Sequence, residues 1–264
     1  MSILEKAPGL IDALKGEMTP KFLATRNPQG KPNVVPVISI LPANDKPDTL
    51  FFGNFLLRKS IQNLEKDKRV GLLIITRELQ GWMLQGDFEE FQRTGPYVDQ
   101  QKRSSLLRYN AYTGIRNAGV IHVRSLLGTI RIPKLLVLRG YVLAQLARIG
   151  RKAPTDGLPI PLPVRDEFKK MAAIKVLSWV EEDGYPIVVP ALSLQPAGAC
   201  GLICWKEKRI PEPPEGATVA ANVLTADAVS YQAKGEWFDG GRTGTIRTRE
   251  FYAGGPPIPG GQIT

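Results

Sequence analysis

Apolar residues along this chain fall in short runs, broken every few positions by Gly, Pro, Asn or Asp, which is the signature of strands and turns. Extended segments are predicted at Lys21 to Arg26, Thr49 to Gly53, Arg69 to Thr76, Gly81 to Phe91 and Gly119 to Leu127. A second set is predicted at Lys175 to Val180, Gly201 to Trp205, Thr218 to Leu224, Val229 to Phe238 and Gly244 to Tyr252. Helical spacing is confined to a few places: about Gly9 to Gly16, the segment before Leu64, Tyr97 to Asn117, Pro133 to Lys152, and about Arg165 to Ala173. Between Pro133 and Lys152, Leu135, Leu138, Val142, Leu146 and Ile149 recur at spacings of 3, 4, 4 and 3, with Arg148, Arg151 and Lys152 opposite. That stripe is expected to be buried, on a barrel or across a chain interface; lying in a membrane surface is the alternative.

The two sets of strands are related. Gly30-Lys31-Pro32-Asn33-Val34-Val35-Pro36 returns as Gly184-Tyr185-Pro186-Ile187-Val188-Val189-Pro190 at an offset of 154, and nine of 22 positions from Lys21 to Pro42 are identical to their counterparts. Gln85-Gly86-Asp87-Phe88 corresponds to Lys234-Gly235-Glu236-Trp237, and the segment from Gly119 to that from Gly244. The chain is an internal duplication of a β-rich unit. In both copies a Gly-terminated turn, Asn27 to Gly30 or Glu181 to Gly184, closes a hairpin. Five to six short antiparallel strands with one or two small helices predict a compact barrel in each.

Composition narrows the picture. With 264 residues, 43% of them hydrophobic, the chain can bury two cores of ordinary size. No run of apolar residues is long enough to span a membrane, and the amino-terminal residues lack the layout of a signal peptide, so a cytoplasmic protein is expected. The net charge of +10 comes from one segment: Gln100 to Lys152 holds 11 Lys and Arg and no acid. Without aromatic platforms or a recognised helical module among those charges, nucleic acid is not an expected partner. Cys200 and Cys204 read as core thiols in a reducing compartment, and with the lone His122 they do not complete a metal site. A Ser-His-Asp triad built on His122 is disfavoured, because the second copy carries Arg247 there.

Ala153 to Pro163, with four prolines, is a stiff linker. The expected organisation is a first barrel over 1–132, an amphipathic helix and linker over 133–164, and a second barrel over 165–264. The Gly- and Pro-rich tail from Gly254 to Gly261 is expected to be extended or disordered.

One segment carries chemistry. Phe51-Phe52-Gly53-Asn54 ends a strand, and Phe55-Leu56-Leu57-Arg58-Lys59-Ser60-Ile61-Gln62-Asn63-Leu64 follows as the start of a helix. Two cations and a hydroxyl at a helix start suit a phosphate, whereas a solvated basic helix face would look the same in sequence. Taken with the Gly-x-Pro-x-Val-Val-Pro hairpin, the Arg69-Val70-Gly71-Leu72 strand and Gly86-Asp87-Phe88, this segment resembles the pyridoxamine 5′-phosphate oxidase-like, FMN-binding split barrels. The resemblance covers about Met18 to Leu127.

The resemblance implies a mainly β fold with a few helices, made of two tandem split β-barrels packed as a pseudo-dimer. It implies FMN with its phosphate on Arg58, Lys59 and Ser60, with Asn63 nearby. Val35, Pro36, Val37, Phe52, Gly53 and Asn54 would line the isoalloxazine ring or ribityl chain. The second copy departs from the pattern: Lys206 to Pro214 replaces the phosphate helix, and its prolines forbid one. Copy two is then expected to have lost its flavin and to wall the site of copy one, with Trp237 or Tyr231 in contact. The expected function is a flavin-dependent oxidoreductase or electron carrier, its catalytic residues and its small-molecule substrate or electron donor unidentified, and a homodimer is compatible with it. The alternatives are a split barrel that binds F420 or haem, or a non-enzymatic module using its basic amphipathic segment on membranes or acidic partners. Stable membrane insertion is not expected.

Overall fold

The computed structural model describes residues 2–54, 57–103, 116–149, 154–254 and 261–263. Among these, copy one contributes β1 (Lys21–Arg26), β2 (Pro32–Pro36), β3 (Leu41–Pro42), β4 (Thr49–Gly53), β5 (Arg69–Ile75), β6 (Gln80–Gln92) and β7 (Ala118–Arg131). Copy two contributes β8 (Ile174–Val180), β9 (Pro186–Pro190), β10 (Gln195–Pro196), β11 (Gly201–Trp205), β12 (Thr218–Leu224), β13 (Ser230–Asp239) and β14 (Thr243–Ala253). The helices are α1 (Leu10–Lys15), α2 (Arg58–Leu64), α3 (Pro96–Arg103), α4 (Lys134–Ile149) and α5 (Leu162–Lys169).

The strands form two antiparallel sheets of seven, ordered β2-β1-β5-β6-β7-β4-β3 and β9-β8-β12-β13-β14-β11-β10. Each order is the other with every strand number raised by seven, as a duplication requires. Register repeats as well. Leu23 faces Val35 in the first hairpin and Leu177 faces Val189 in the second. Asp87 pairs with His122, and Glu236 pairs with Arg247. Seven strands per copy exceed the expected five to six because of two-residue pairings at β3 and β10 and the hairpin strands. Gly30 and Gly184, at φ 76° and 82°, close the two hairpin turns in the left-handed region that glycine adopts without strain.

The copies pack face to face through β1, β2, β5 and β6 of one against β8, β9, β12 and β13 of the other. Phe22, Val34 and Leu73 join Val176, Trp179 and Val188 in one continuous core, while Leu23, Phe52 and Leu72 fill the separate interior of copy one. The approach is close enough to involve backbone. A Cβ at Gly71 would lie 2.2 Å from the Pro186 carbonyl oxygen. Around this contact Arg26 donates to the Gly184 carbonyl (3.2 Å), Arg69 to the Asp183 carbonyl (3.1 Å), and the Tyr185 hydroxyl to Asp87 (2.9 Å).

Several expectations need correction. The apolar stripe of α4 faces outward: Leu135, Leu138, Val142, Leu146 and Ile149 are 74%, 46%, 45%, 58% and 81% exposed. The opposite face, with buried Gly140 and Ala144, lies on copy two, where Tyr141 donates to the Lys169 carbonyl and its own carbonyl accepts from Gln195. Small side chains let the helix approach, and the stripe is not packed on a barrel of this chain, the first of the burials expected for it. The basic helix predicted over Tyr97 to Asn117 is α3 as far as Arg103; residues 104–115 lie outside the described residues, and Arg116 and Asn117 are not helical. α5 begins at Leu162, ahead of Arg165, because Pro163 fits a helix's first turn. The linker is docked along copy two, with Leu158 donating to the Thr248 carbonyl and Ile160 to that of Ala199. In the tail, Gln262 returns to bridge Tyr252, and residues 255–260 are outside the described residues. Among the described residues no helix is long and apolar enough to cross a membrane.

Candidate functional site

Helix α2 follows β4 and runs back across β1 and β2, which brings its first turn to the seam between the copies. Ser60 and Asn63 face inward and are buried; Lys59 is half-buried at the seam, and Arg58 is exposed. Asn63 donates to the Thr25 hydroxyl at 2.9 Å, locking α2 onto β1. The Ser60 hydroxyl accepts from Asn33 at 3.2 Å, and Asn33 in turn accepts from Gln232 of copy two at 3.3 Å. Gln232 also donates to the Val34 carbonyl (2.9 Å), which takes a further bond from Asn222 (3.3 Å). A buried polar relay therefore runs from α2 through β2 into β12 and β13. It leaves the Gln232 side-chain oxygen buried with no hydrogen-bond partner among the described residues.

Beside this relay the two copies assemble a cationic cluster. The Lys59 ammonium sits 3.2 Å from the centre of the Tyr252 ring, and that of Lys234 sits 5.3 Å from it. Lys31 pairs with Glu250 at 3.6 Å, and the Tyr252 hydroxyl donates to the same carboxylate. Lys234 is 8% exposed. Burial lowers its amine to about 8, with the neighbouring charges of Lys59 and Lys31 acting in the same direction and Glu250 against. Burial also lowers Lys59, partly offset by Glu250. Burial works against ionisation of Glu250, but the Tyr252 bond and Lys234, Lys31 and Lys59 outweigh it and hold the carboxylate below its ordinary range. Burial, then the bond to Glu250 and its charge, raises the Tyr252 phenol. Three lysines thus surround one carboxylate in a partly desolvated cleft, an excess of two positive charges with the π face of Tyr252 between them. Such a cluster is suited to an anion that brings its own oxygens.

The other residues expected at the site are placed differently. Val37 and Phe52 point into the interior of copy one, and Phe52 lies against Gly119, where a Cβ would come within 2.3 Å of the ring. The Gly53 amide is bound by the Ser39 hydroxyl at 3.2 Å, and the Asn54 amide donates to the Asn117 carbonyl at 3.0 Å. Val35 and Pro36 are half-buried on β2, and Val35 packs on the core of copy one. From copy two, Trp237 and Tyr231 do not face α2. Trp237 is buried in the core with its ring over Gly244, and Tyr231 packs at the edge of that core. Tyr252, Lys234 and Gln232 face α2 instead.

The duplication supplies a second, pseudo-symmetric cleft for comparison. The register aligns Lys234 opposite Glu250 with Gln85 opposite Ser125, and Tyr252 with Leu127. Lys31 corresponds to Tyr185, and α2 to the non-helical Lys206 to Pro214. Lys31, Lys234 and Glu250 have uncharged counterparts there, the segment in place of α2 brings its own Lys206, Lys208 and Arg209, and α4 covers Trp205 and Ser193. Comparing the copies position by position was the available signal for Lys234 and Tyr252.

The remaining chemically notable side chains lie elsewhere. His122 is exposed on β7, and Cys200 and Cys204 are buried free thiols in copy two. Among the described residues no three His, Cys, Asp or Glu side chains converge as metal ligands would.

Residues 11–127 match the sequence profile of the family described as Pyridoxamine 5'-phosphate oxidase. No curated protein matches the chain. Among solved structures, an FMN-binding protein from Syntrophomonas wolfei is 16% identical over 49% of this chain and 87% of its own, with a TM-score of 0.40. The heme storage protein HutZ from Vibrio cholerae is 14% identical over 50% and 95%, with a TM-score of 0.37, and an F420 reductase is 18% identical over 47% and 98%, with a TM-score of 0.33. That profile spans β1 to most of β7 and the same strand order is repeated after it, so it is the first copy in this tandem chain that is similar to the pyridoxamine 5′-phosphate oxidase family.

Proposed function

We propose that the chain is a flavoprotein that binds one FMN in the cleft between α2 and the β13–β14 hairpin and serves as an oxidoreductase or electron carrier. The observation that carries this reading is the excess of two positive charges, gathered from both copies, beside Ser60 and the unpartnered Gln232 oxygen. A phosphate monoester at neutral pH carries close to two negative charges, so it matches the excess that Glu250 leaves. Lys59 and Lys234 would hold the phosphate, Arg58 could close over it from solvent, and the apolar seam around Val35 and Pro36 would exclude water from the ring. A bound flavin exchanges hydride or single electrons at its own ring, so a cleft without His or a catalytic carboxylate pair is sufficient for such chemistry.

The test is titration with FMN and with riboflavin, followed by flavin fluorescence. Lys59→Met and Lys234→Met should each weaken FMN by about ten- to a hundredfold, the usual value of a charge-assisted contact, and leave riboflavin affinity unchanged. Equal loss for both ligands, or no loss, would remove the phosphate from this cleft, and a purified chain whose visible spectrum reports haem or a deazaflavin would replace FMN altogether.

A further inference from the structure

We infer that the outward face of α4 docks on an anionic lipid surface, lying in the plane of the bilayer without crossing it. The helix has 16 residues, about 24 Å in length at 1.5 Å per residue, and one uninterrupted side of it is apolar and open: Leu135, Leu138, Val142, Leu146 and Ile149. Its inner side is already committed to copy two through Gly140, Tyr141 and Ala144, so the face cannot rotate inward without breaking the bonds of Tyr141 to Lys169 and Gln195. Apolar side chains of this size, contiguous along four turns, mark an interaction surface in a protein whose other large apolar residues are mostly buried.

Charge selects the partner. α4 carries Lys134, Arg139 and Arg148 and no acid, and Arg131, also exposed, precedes it at the end of β7. Two copies of this helix packed together would set these cations against one another with no carboxylate on either element to neutralise them, which disfavours a homodimer through this face. A bilayer with anionic headgroups offers both complements at once: acyl chains for the five apolar residues and phosphates for Lys134, Arg139 and Arg131, whose long stems reach the headgroup level from the flanks of the stripe. The helix is shorter than a membrane span, in keeping with an in-plane orientation.

The experiment is co-sedimentation of the full chain with vesicles of phosphatidylcholine alone and of equimolar phosphatidylcholine and phosphatidylglycerol. Binding is expected to the anionic vesicles only, and to weaken as salt is raised. Leu135→Glu with Leu146→Glu, at two of the most exposed positions, should abolish it while leaving the unfolding midpoint and the bound-flavin content of the protein as they were. Lys134→Glu with Arg139→Glu should reduce partitioning by at least about tenfold. No association with anionic vesicles overturns the inference. So does a wild-type dimer, measured by light scattering, that becomes monomeric in the Leu135→Glu, Leu146→Glu protein, because the face would then be covered by a second copy of the chain.

Discussion

The duplication contains a matched pair of buried lysines whose removal should have unequal consequences. Lys21 and Lys175 stand at corresponding positions of β1 and β8, and both are fully buried. The Lys21 ammonium donates to the carbonyls of Gly16 (3.1 Å) and Ile38 (3.0 Å). That of Lys175 has no acceptor among the described residues and only the Tyr141 ring at 5.3 Å. Burial lowers Lys175 from 10.5 to about 7. At about 1.4 kcal/mol per decade of proton affinity, that corresponds to about 4 to 5 kcal/mol of destabilisation at pH 7. Lys175→Met keeps the stem and removes the charge, and after the loss of the cation–π contact it should stabilise the fold by about 2 to 4 kcal/mol. Lys21→Met would remove a donor from the half-buried Gly16 and Ile38 carbonyls, of which Gly16 keeps the Thr19 amide (3.2 Å), and it should therefore stabilise the fold less than Lys175→Met.

The pH dependence gives a second reading of the same group. Its folded value lies below its unfolded one, so between about 7 and 10.5 the unfolded chain binds more protons, and stability rises with pH across that window. From pH 7 to pH 9 Lys175 should contribute about 2 kcal/mol of this rise. Lys21 and Lys234, both lowered to about 8 by burial, give slopes of the same sign, so the diagnostic is the difference between wild type and variant. Urea unfolding at the two pH values measures it. A Lys175→Met protein that is less stable than wild type, or that keeps the full wild-type slope, would refute the reasoning.

Three further outcomes are expected. Gly71→Ala must move β5 about 1 Å away from the Pro186 carbonyl and should cost about 1 to 3 kcal/mol in urea unfolding while weakening FMN, whereas Gly140→Ala, whose added Cβ meets only ordinary contacts from 3.4 Å outward, should stabilise α4 by about 0.5 to 1 kcal/mol. Burial pushes the Cys204 thiol up to about 12, so native protein should give no reaction at Cys204 with a disulfide reagent until urea is added, and prompt labelling in the native state would show that the β11 face opens.

How much of this was legible in the sequence depends on what kind of information each feature needs. The hairpins were readable because turn glycines and alternating β-branched residues act locally, and the constant offset of 154 fixed the correspondence that both registers then obey. The helix proposed to hold the phosphate was legible as a helix, and the structure places its Ser60 and Asn63 inward with Lys59 at the seam. What the sequence could not supply was the partner across the seam. Trp237 and Tyr231 were named from copy two because aromatic size is visible in a sequence, while the direction of a strand residue depends on features such as the bulge between Lys234 and Gly235. The α4 stripe failed for a related reason. Periodicity shows that a helix has two unlike faces, and only the shape of the surface beneath decides that Gly140 and Ala144 go inside.

The unequal clefts carry a consequence for how the protein responds to its ligand. In a symmetric dimer of identical barrels each substitution is made at both seams, and the occupancy of one site can alter the other. Here the two seams differ within one chain: one joins Lys31, Lys59 and Lys234 around Glu250, and the other has Gln85 and Ser125 in place of Lys234 and Glu250 and a helix packed over it. With one proposed site per chain, saturation should follow a simple hyperbola, and any other shape would report coupling to a second site or to a second chain.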